Sequence, residues 1–228
     1  MEFSRLFLNR LHNFPHHSDA VVVIDTPRSF TTAAVALAGG ARAVYPVEGL
    51  QAANTLADRL ESPLLIGAVG GGDPAPGFDC GNSPSRVERA RLRGRNVILS
   101  TAAGVLGLLR FYGAPALYAA SLVCARATAE AIRASGAKSV CFVITGEWVD
   151  RDGDEDIACA DYIEAWLRDE QPDPAEAAQR VRDSDFGRRF GEADWPNLPA
   201  ADLELAAAVD CFEFAMPVSR QGEWLVIR

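Results

Sequence analysis

The stretch VVVIDTPRSFTTAAVALAGGA, Val21 to Ala41, decides the fold. Its first four residues are apolar and β-branched, as in a short buried strand, and its second half is alanine-rich, as in a helix. A strand running straight into a helix opens a βα unit, and Asp25 and Arg28 stand at the junction. Outward from it the rhythm repeats. Apolar runs without alternation predict buried strands at 21–25, 43–47, 63–69, 96–101, 116–122 and 139–145, with helical patterns near 29–38, 48–61, 103–111, 124–134 and 156–169. The expected fold is α/β, with a mixed, largely parallel sheet covered by helices on both faces in a three-layer α/β/α arrangement. FEFAMPV (Phe212 to Val218) and EWLVIR (Glu223 to Arg228) predict a C-terminal β-hairpin. QPDPAE and DWPNLPAAD mark loops flanking a polar, helix-rich insert, and residues 1–228 are read as one domain.

Composition narrows the function. The chain has 228 residues, is 49% hydrophobic and carries a net charge of −9 without any Lys/Arg cluster, which argues against nucleic acid and anionic membrane as partners. A small ligand is the expectation. Five cysteines, Cys80, Cys124, Cys141, Cys159 and Cys211, are odd in number, far apart and never in C-x-x-C, so they read as buried free thiols in a reducing compartment. With no apolar run long enough to span a bilayer and no signal-like start, the reading places the protein in the cytoplasm.

Ligands of open α/β sheets bind beyond the carboxyl ends of the strands, so polar residues there are the candidates. Asp25 ends the first strand, and Arg28, Ser29, Thr31 and Thr32 follow it; the hydroxyls and free amides of a helix start can donate to an anion that Arg28 grips. The plainer reading makes Asp25 a helix cap paired with Arg28. GAVGGGDPAPGFDCGNSP (Gly67 to Pro84) follows a strand but is neither G-x-G-x-x-G nor a Walker loop; Asp79, Asn82 and Ser83 could reach a ligand from it, or its glycines and prolines only shape the chain. EWVDRDGDED (Glu147 to Asp156) is acidic enough for a magnesium site beside Asp25, or is merely an acidic helix start; as a calcium loop it fails, with Glu155 where glycine is required.

Four motifs in order resemble the 2-phosphosulfolactate phosphatases of coenzyme M biosynthesis, the ComB family: I-D-x-x-R-S-x-T-T at Ile24 to Thr32, P-G-F-D-x-G-N-S-P at Pro76 to Pro84, S-T-x-x-G at Ser100 to Gly104 and E-D-x-x-C-A at Glu155 to Ala160. The resemblance implies a Mg2+-dependent phosphatase acting on a small anionic phosphate ester. It assigns Asp25, Glu155 and Asp156 to the metal, with Arg28 beside them in catalysis. Arg28, Ser29, Thr31, Asp79, Asn82, Ser83, Thr101 and Gly104 are assigned to the substrate. Asp25 as nucleophile and Asp25 beside an activated water both stay open. The partners implied are a small anionic substrate and neither nucleic acid nor membrane, and the reading allows a homodimer.

The chain also departs from the family pattern. It reads Gly67-Ala68-Val69-Gly70-Gly71 for G-E-R-G-G and Ser100-Thr101-Ala102-Ala103-Gly104-Val105 for T-T-x-N-G-T, losing an acid, a base, an amide and a hydroxyl. Two functions therefore stand side by side: a phosphatase, with 2-phosphosulfolactate turned over slowly, and a catalytically weak relative that binds a small anion.

Overall fold

The computed structural model describes residues 1–10, 17–69 and 73–228. Its strands are β1 (Glu2–Phe7), β2 (Ala20–Ile24), β3 (Ala43–Pro46), β4 (Leu64–Val69), β5 (Asp73–Pro74), β6 (Asn96–Ser100), β7 (Ala116–Ala120), β8 (Ser139–Ile144), β9 (Met216–Gln221) and β10 (Trp224–Ile227). The helices are α1 (Ser29–Ala38), α2 (Gly49–Ala57), α3 (Pro84–Val87), α4 (Ala103–Arg110), α5 (Ala125–Ser135), α6 (Asp154–Leu167), α7 (Pro174–Asp183) and α8 (Ala200–Ala206). The predicted βα rhythm holds, and the strands form one mixed sheet in the order β1-β8-β2-β7-β9-β10-β3-β6-β4-β5. Gly70 and Gly71, part of the predicted glycine loop, lie outside the described residues, as do residues 11–16.

The sheet has two parallel halves. β1, β8, β2 and β7 run parallel to their neighbours in the first half, as do β3, β6 and β4 in the second. The C-terminal hairpin lies between them, β9 antiparallel to β7 and β10 antiparallel to β3. Its role is thus larger than finishing an edge: it joins the halves. Gly222, at φ 64°, takes the left-handed conformation that begins its two-residue turn.

Strand alternation divides the core. Val22, Ile24, Phe142 and Ile144 pack with Ile132 of α5 and Ile163 of α6 on one face of the first half. Tyr45, Ile98 and Val226 pack with Leu56 of α2 on one face of the second. The alternate residues, among them Val21, Val23, Val44, Val97 and Leu99, share a central core with Phe30 of α1 and Leu108 of α4.

Five inter-strand steps of about 4.8 Å separate β2 from β6 along the sheet, roughly 24 Å if it were flat. Yet Thr101, next after β6, accepts a hydrogen bond from Ser29 at 3.0 Å, and the Gly104 amide donates to Asp25, next after β2, at 2.8 Å. The sheet therefore curls, and the carboxyl ends of β2 and β6 meet across the central core.

The structure also differs from the sequence reading in places. β1 was not expected, because EFSRLF is half exposed at the sheet edge and lacks a continuous apolar run. The hairpin strand begins at Met216, not Phe212: the Phe212 amide donates to Val123 instead of joining the ladder, and its ring stacks on Phe214. Cys124, Cys141 and Cys159 are buried as expected, but Cys211 is exposed and Cys80 partly so; all are free.

Candidate active site

A cavity of about 380 Å3 opens where the strand ends meet, walled by Asp25, Arg28 and Ser29 after β2, Ala68 of β4, Asn82, and Thr101, Ala102 and Ala103 after β6. The opposite wall comes from the insert and the loop before α6: Arg151, Phe186, Arg189, Trp195 and Leu198.

Asp25 is held by backbone. Its Oδ1 accepts from the Ser29 amide at 3.0 Å and its Oδ2 from the Gly104 amide at 2.8 Å, which leaves a lone pair on each oxygen for the cavity. Glycine at 104 permits this approach, since a Cβ there would lie 2.6 Å from Asp25 Oδ2. Gly104 is thus a positioning residue for Asp25. The Ser29 hydroxyl, bonded to Thr101, also receives the Asn82 amide at 3.3 Å, so these three line one polar strip.

Arg28 is only 6% exposed, and its Nε lacks a hydrogen-bond partner while an Nη atom donates to the Asn197 carbonyl at 3.3 Å. Burial lowers its proton affinity; the Asp202 and Asp25 charges work against the fall, and Arg86 adds to it. A buried guanidinium with unused donors facing a cavity is an anion holder.

The acidic run before α6 resolves residue by residue. Asp150 accepts from Arg189, which lies across the Trp195 ring, and Asp152 caps the Asp154 amide and exchanges contacts with Asp185. Asp154 pairs with Arg180. Asp156 is buried at the end of β8. Its Oδ1 accepts from the Thr26 amide at 2.7 Å, and its Oδ2 from the Thr145 and Gly146 amides at 2.9 and 2.7 Å. Burial, then the Glu155 and Asp25 charges, raise Asp156 above the usual carboxylate range, against the lowering by the Thr26 and Thr145 amides.

Glu155 is the exception. It is fully buried, neither carboxylate oxygen has a hydrogen-bond partner, and burial pushes it up to about 7, with Ser184 and the Arg151 charge offsetting part of the rise. Glycine at 146 makes room for it, since a Cβ there would lie 2.4 Å from Glu155 Oε1. Among the described residues no ready-made shell of three or more His, Cys, Asp or Glu side chains exists. A bare buried carboxylate still fits Mg2+, which takes one or two carboxylates and fills its other positions with water and phosphate oxygens. Asp25, on the cavity wall, and Glu155, which is buried and not on that wall, have free lone pairs for it. Asp156 pins the ends of β2 and β8 to α6: its Oδ2 accepts from two amides and its Oδ1 from one, which leaves a lone pair on Oδ1.

Other expected site residues are spent elsewhere. The exposed Asp79 accepts from the Leu65 amide at 2.8 Å and is not on the cavity wall. Ser83 and Ser85 donate to Asp202 Oδ1 at 2.8 and 2.6 Å, anchoring α3 to α8. Thr31 is buried inside α1, off the cavity wall. The insert residues Arg189, Phe186 and Trp195 were missed, and so was Arg151. The only local signals were FGRRF and DWPNL, together with a lone arginine among acids.

A family model described as 2-phosphosulpholactate phosphatase matches residues 7–193. A protein of Bacillus subtilis (strain 168) named probable 2-phosphosulfolactate phosphatase is 29% identical over 213 residues, covering 91% of this chain and 92% of its own. A protein of the same printed name from Carboxydothermus hydrogenoformans is 43% identical over 111 residues, 49% of this chain and 45% of its own. A third, from Thermosynechococcus vestitus, is 34% identical over 160 residues, 69% of this chain and 65% of its own.

Proposed function

Because the chain belongs to the 2-phosphosulpholactate phosphatase family, we propose that it is a Mg2+-dependent phosphatase of a small anionic phosphate monoester of the 2-phosphosulfolactate kind. The observation that carries this is a buried Arg28 on the cavity wall with its Nε unpaired, together with a bare, buried Glu155 that, like Asp25, acts on Asp156 through its charge. A buried cation with free donors calls for an anion, and a buried anion with no donor calls for a cation.

The residues divide the work. Arg28 and the Ser29, Asn82 and Thr101 strip hold the phosphate. Asp25, oriented by two amides, faces the reacting phosphoryl group either as the base for an attacking water or as the attacking group itself. In net hydrolysis the water oxygen bonds to phosphorus, the ester O–P bond breaks, and the departing oxygen takes up a proton. Asp25 and Glu155 would be the carboxylates that hold Mg2+, which would supply neutralisation of the developing phosphoryl charge. Asp156 and Gly104 keep these groups in place.

The second reading, an anion-binding relative with weak catalysis, is favoured by Ala68 and Ala103 lining the cavity where the resemblance expects polar side chains. Phosphate release from 2-phosphosulfolactate and simpler phosphate esters, with and without Mg2+, decides between them. The expected result is Mg2+-dependent release that Asp25→Asn lowers at least about 100-fold. Tight binding of these anions with no release from any of them would overturn the phosphatase reading.

A further inference from the structure

The cavity has two unlike sides. Arg28 is at one end with unused donors, and Arg151 and Arg189 stand on the insert wall, each 4.9 Å above an aromatic ring, Phe186 and Trp195 respectively. Arg189 shares its charge with Asp150 at 2.9 Å, whereas Arg151 lies 4.0 Å from the same carboxylate and keeps more of its charge free. Ala68, Ala102, Ala103 and Leu198 also line the cavity and have no polar side-chain atom. The nearby Gly104 amide is already committed to Asp25.

A ligand with three anionic groups on a short carbon frame would press one of them against alanines. That group would lose water without gaining a side-chain partner, whereas an apolar group in the same place would gain from leaving water. Resting on the phosphatase reading for its chemistry, we propose that the substrate is a phosphorylated 2-hydroxy acid with an apolar substituent, aryl or branched alkyl. Its phosphate lies by Arg28, its carboxylate by Arg151 and Arg189, and the substituent against Ala68, Ala102 and Ala103. Trp195, 40% exposed, closes over the substituent from the insert side.

Three esters differing only at one carbon substituent test this: 2-phospholactate, its 3-phenyl derivative and 2-phosphosulfolactate. Binding is measured by calorimetry with the metal chelated, and phosphate release is measured separately with Mg2+. The phenyl ester is expected to bind at least tenfold tighter than either of the others, and Ala103→Leu to cut the phenyl-to-methyl ratio. That ratio is taken within one protein sample and does not depend on how much of the variant folds. Equal binding of all three, tighter binding of 2-phosphosulfolactate, or a ratio unmoved by Ala103→Leu overturns the inference. Phosphate release that favours 2-phosphosulfolactate also overturns it and leaves the phosphatase reading intact. Phenyl-selective binding with no release from any ester supports the ligand class and overturns the phosphatase reading instead.

Discussion

The two halves of the sheet end differently. Strands β2 and β8 end at Asp25 and at Thr145 and Gly146, where the Glu155 and Asp156 carboxylates dock. Strand β6 is followed by Thr101, Ala102 and Ala103, and Ala68 stands next to last in β4. Curling brings these ends to one cavity, so charge comes from one side and shape from the other. The difference teaches that the buried Asp156 rests on a frame of backbone amides. That frame forms where the adjacent parallel strands β2 and β8 end beside the start of α6. The buried Asp202 holds Ser83 and Ser85, after β4, and is not on the cavity wall, so the second half sets what fits.

The comparison breaks if substitutions in the second half rival those in the first. The largest expected effect is that of Asp25→Asn, a loss of at least about 100-fold in kcat with the fold intact, read from steady-state phosphate release and a thermal melt. Asp156→Ala is expected next, as a loss of stability: it strands the Thr26, Thr145 and Gly146 amides and costs roughly 3 kcal/mol or more in urea unfolding. A variant as stable as the parent would show that Asp156 does not pin the strand ends.

Its neighbour should answer with the opposite sign. Glu155 rises from 4.5 to about 7 on folding, so well below pH 4.5 it is protonated in both states and costs little. As pH climbs toward 7 the unfolded chain ionises first, and the metal-free protein loses up to roughly 3 kcal/mol through this group. Glu155→Gln should therefore stabilise the metal-free protein above pH 7 and lose that effect well below pH 4.5, while Mg2+ should stabilise the parent and not the variant. A destabilising Glu155→Gln at pH 8 would mean that the carboxylate has partners in solution. The smallest effect belongs to the second half: Thr101→Val removes one hydroxyl from the Ser29 strip and should raise KM about threefold to tenfold. A loss as large as that of Asp25→Asn would erase the distinction between the halves.

Asp25, Arg28, Ser29, Asn82 and Thr101 were legible because each stands next to the end of a strand or in the loop after one. The position of a strand end depends on a local apolar run. Asp79 and Ser83 came from a motif as specific as any in the chain, yet they support the fold, Asp79 on Leu65 and Ser83 on Asp202, 119 residues away. The acidic run read as a magnesium site or as an acidic helix start. Five of its acids, Glu147, Asp150, Asp152, Asp154 and Asp156, hold arginines or amides, and a residue type does not say which of its neighbours will arrive.

By itself, then, the sequence determined the βα rhythm, the hairpin and the polar residues at the strand ends, because strands and helix starts follow from hydrophobic period and local propensity. Only the tertiary structure decided that the hairpin sits mid-sheet between two parallel halves, that the sheet curls to bring Thr101 to Ser29, and that the insert supplies Arg189 and Trp195. It alone decided that Asp156 is held by three backbone amides and Glu155 is bare. These are outcomes of contacts between segments far apart in the chain, and whether a buried polar group is satisfied depends on which of those segments packs against it.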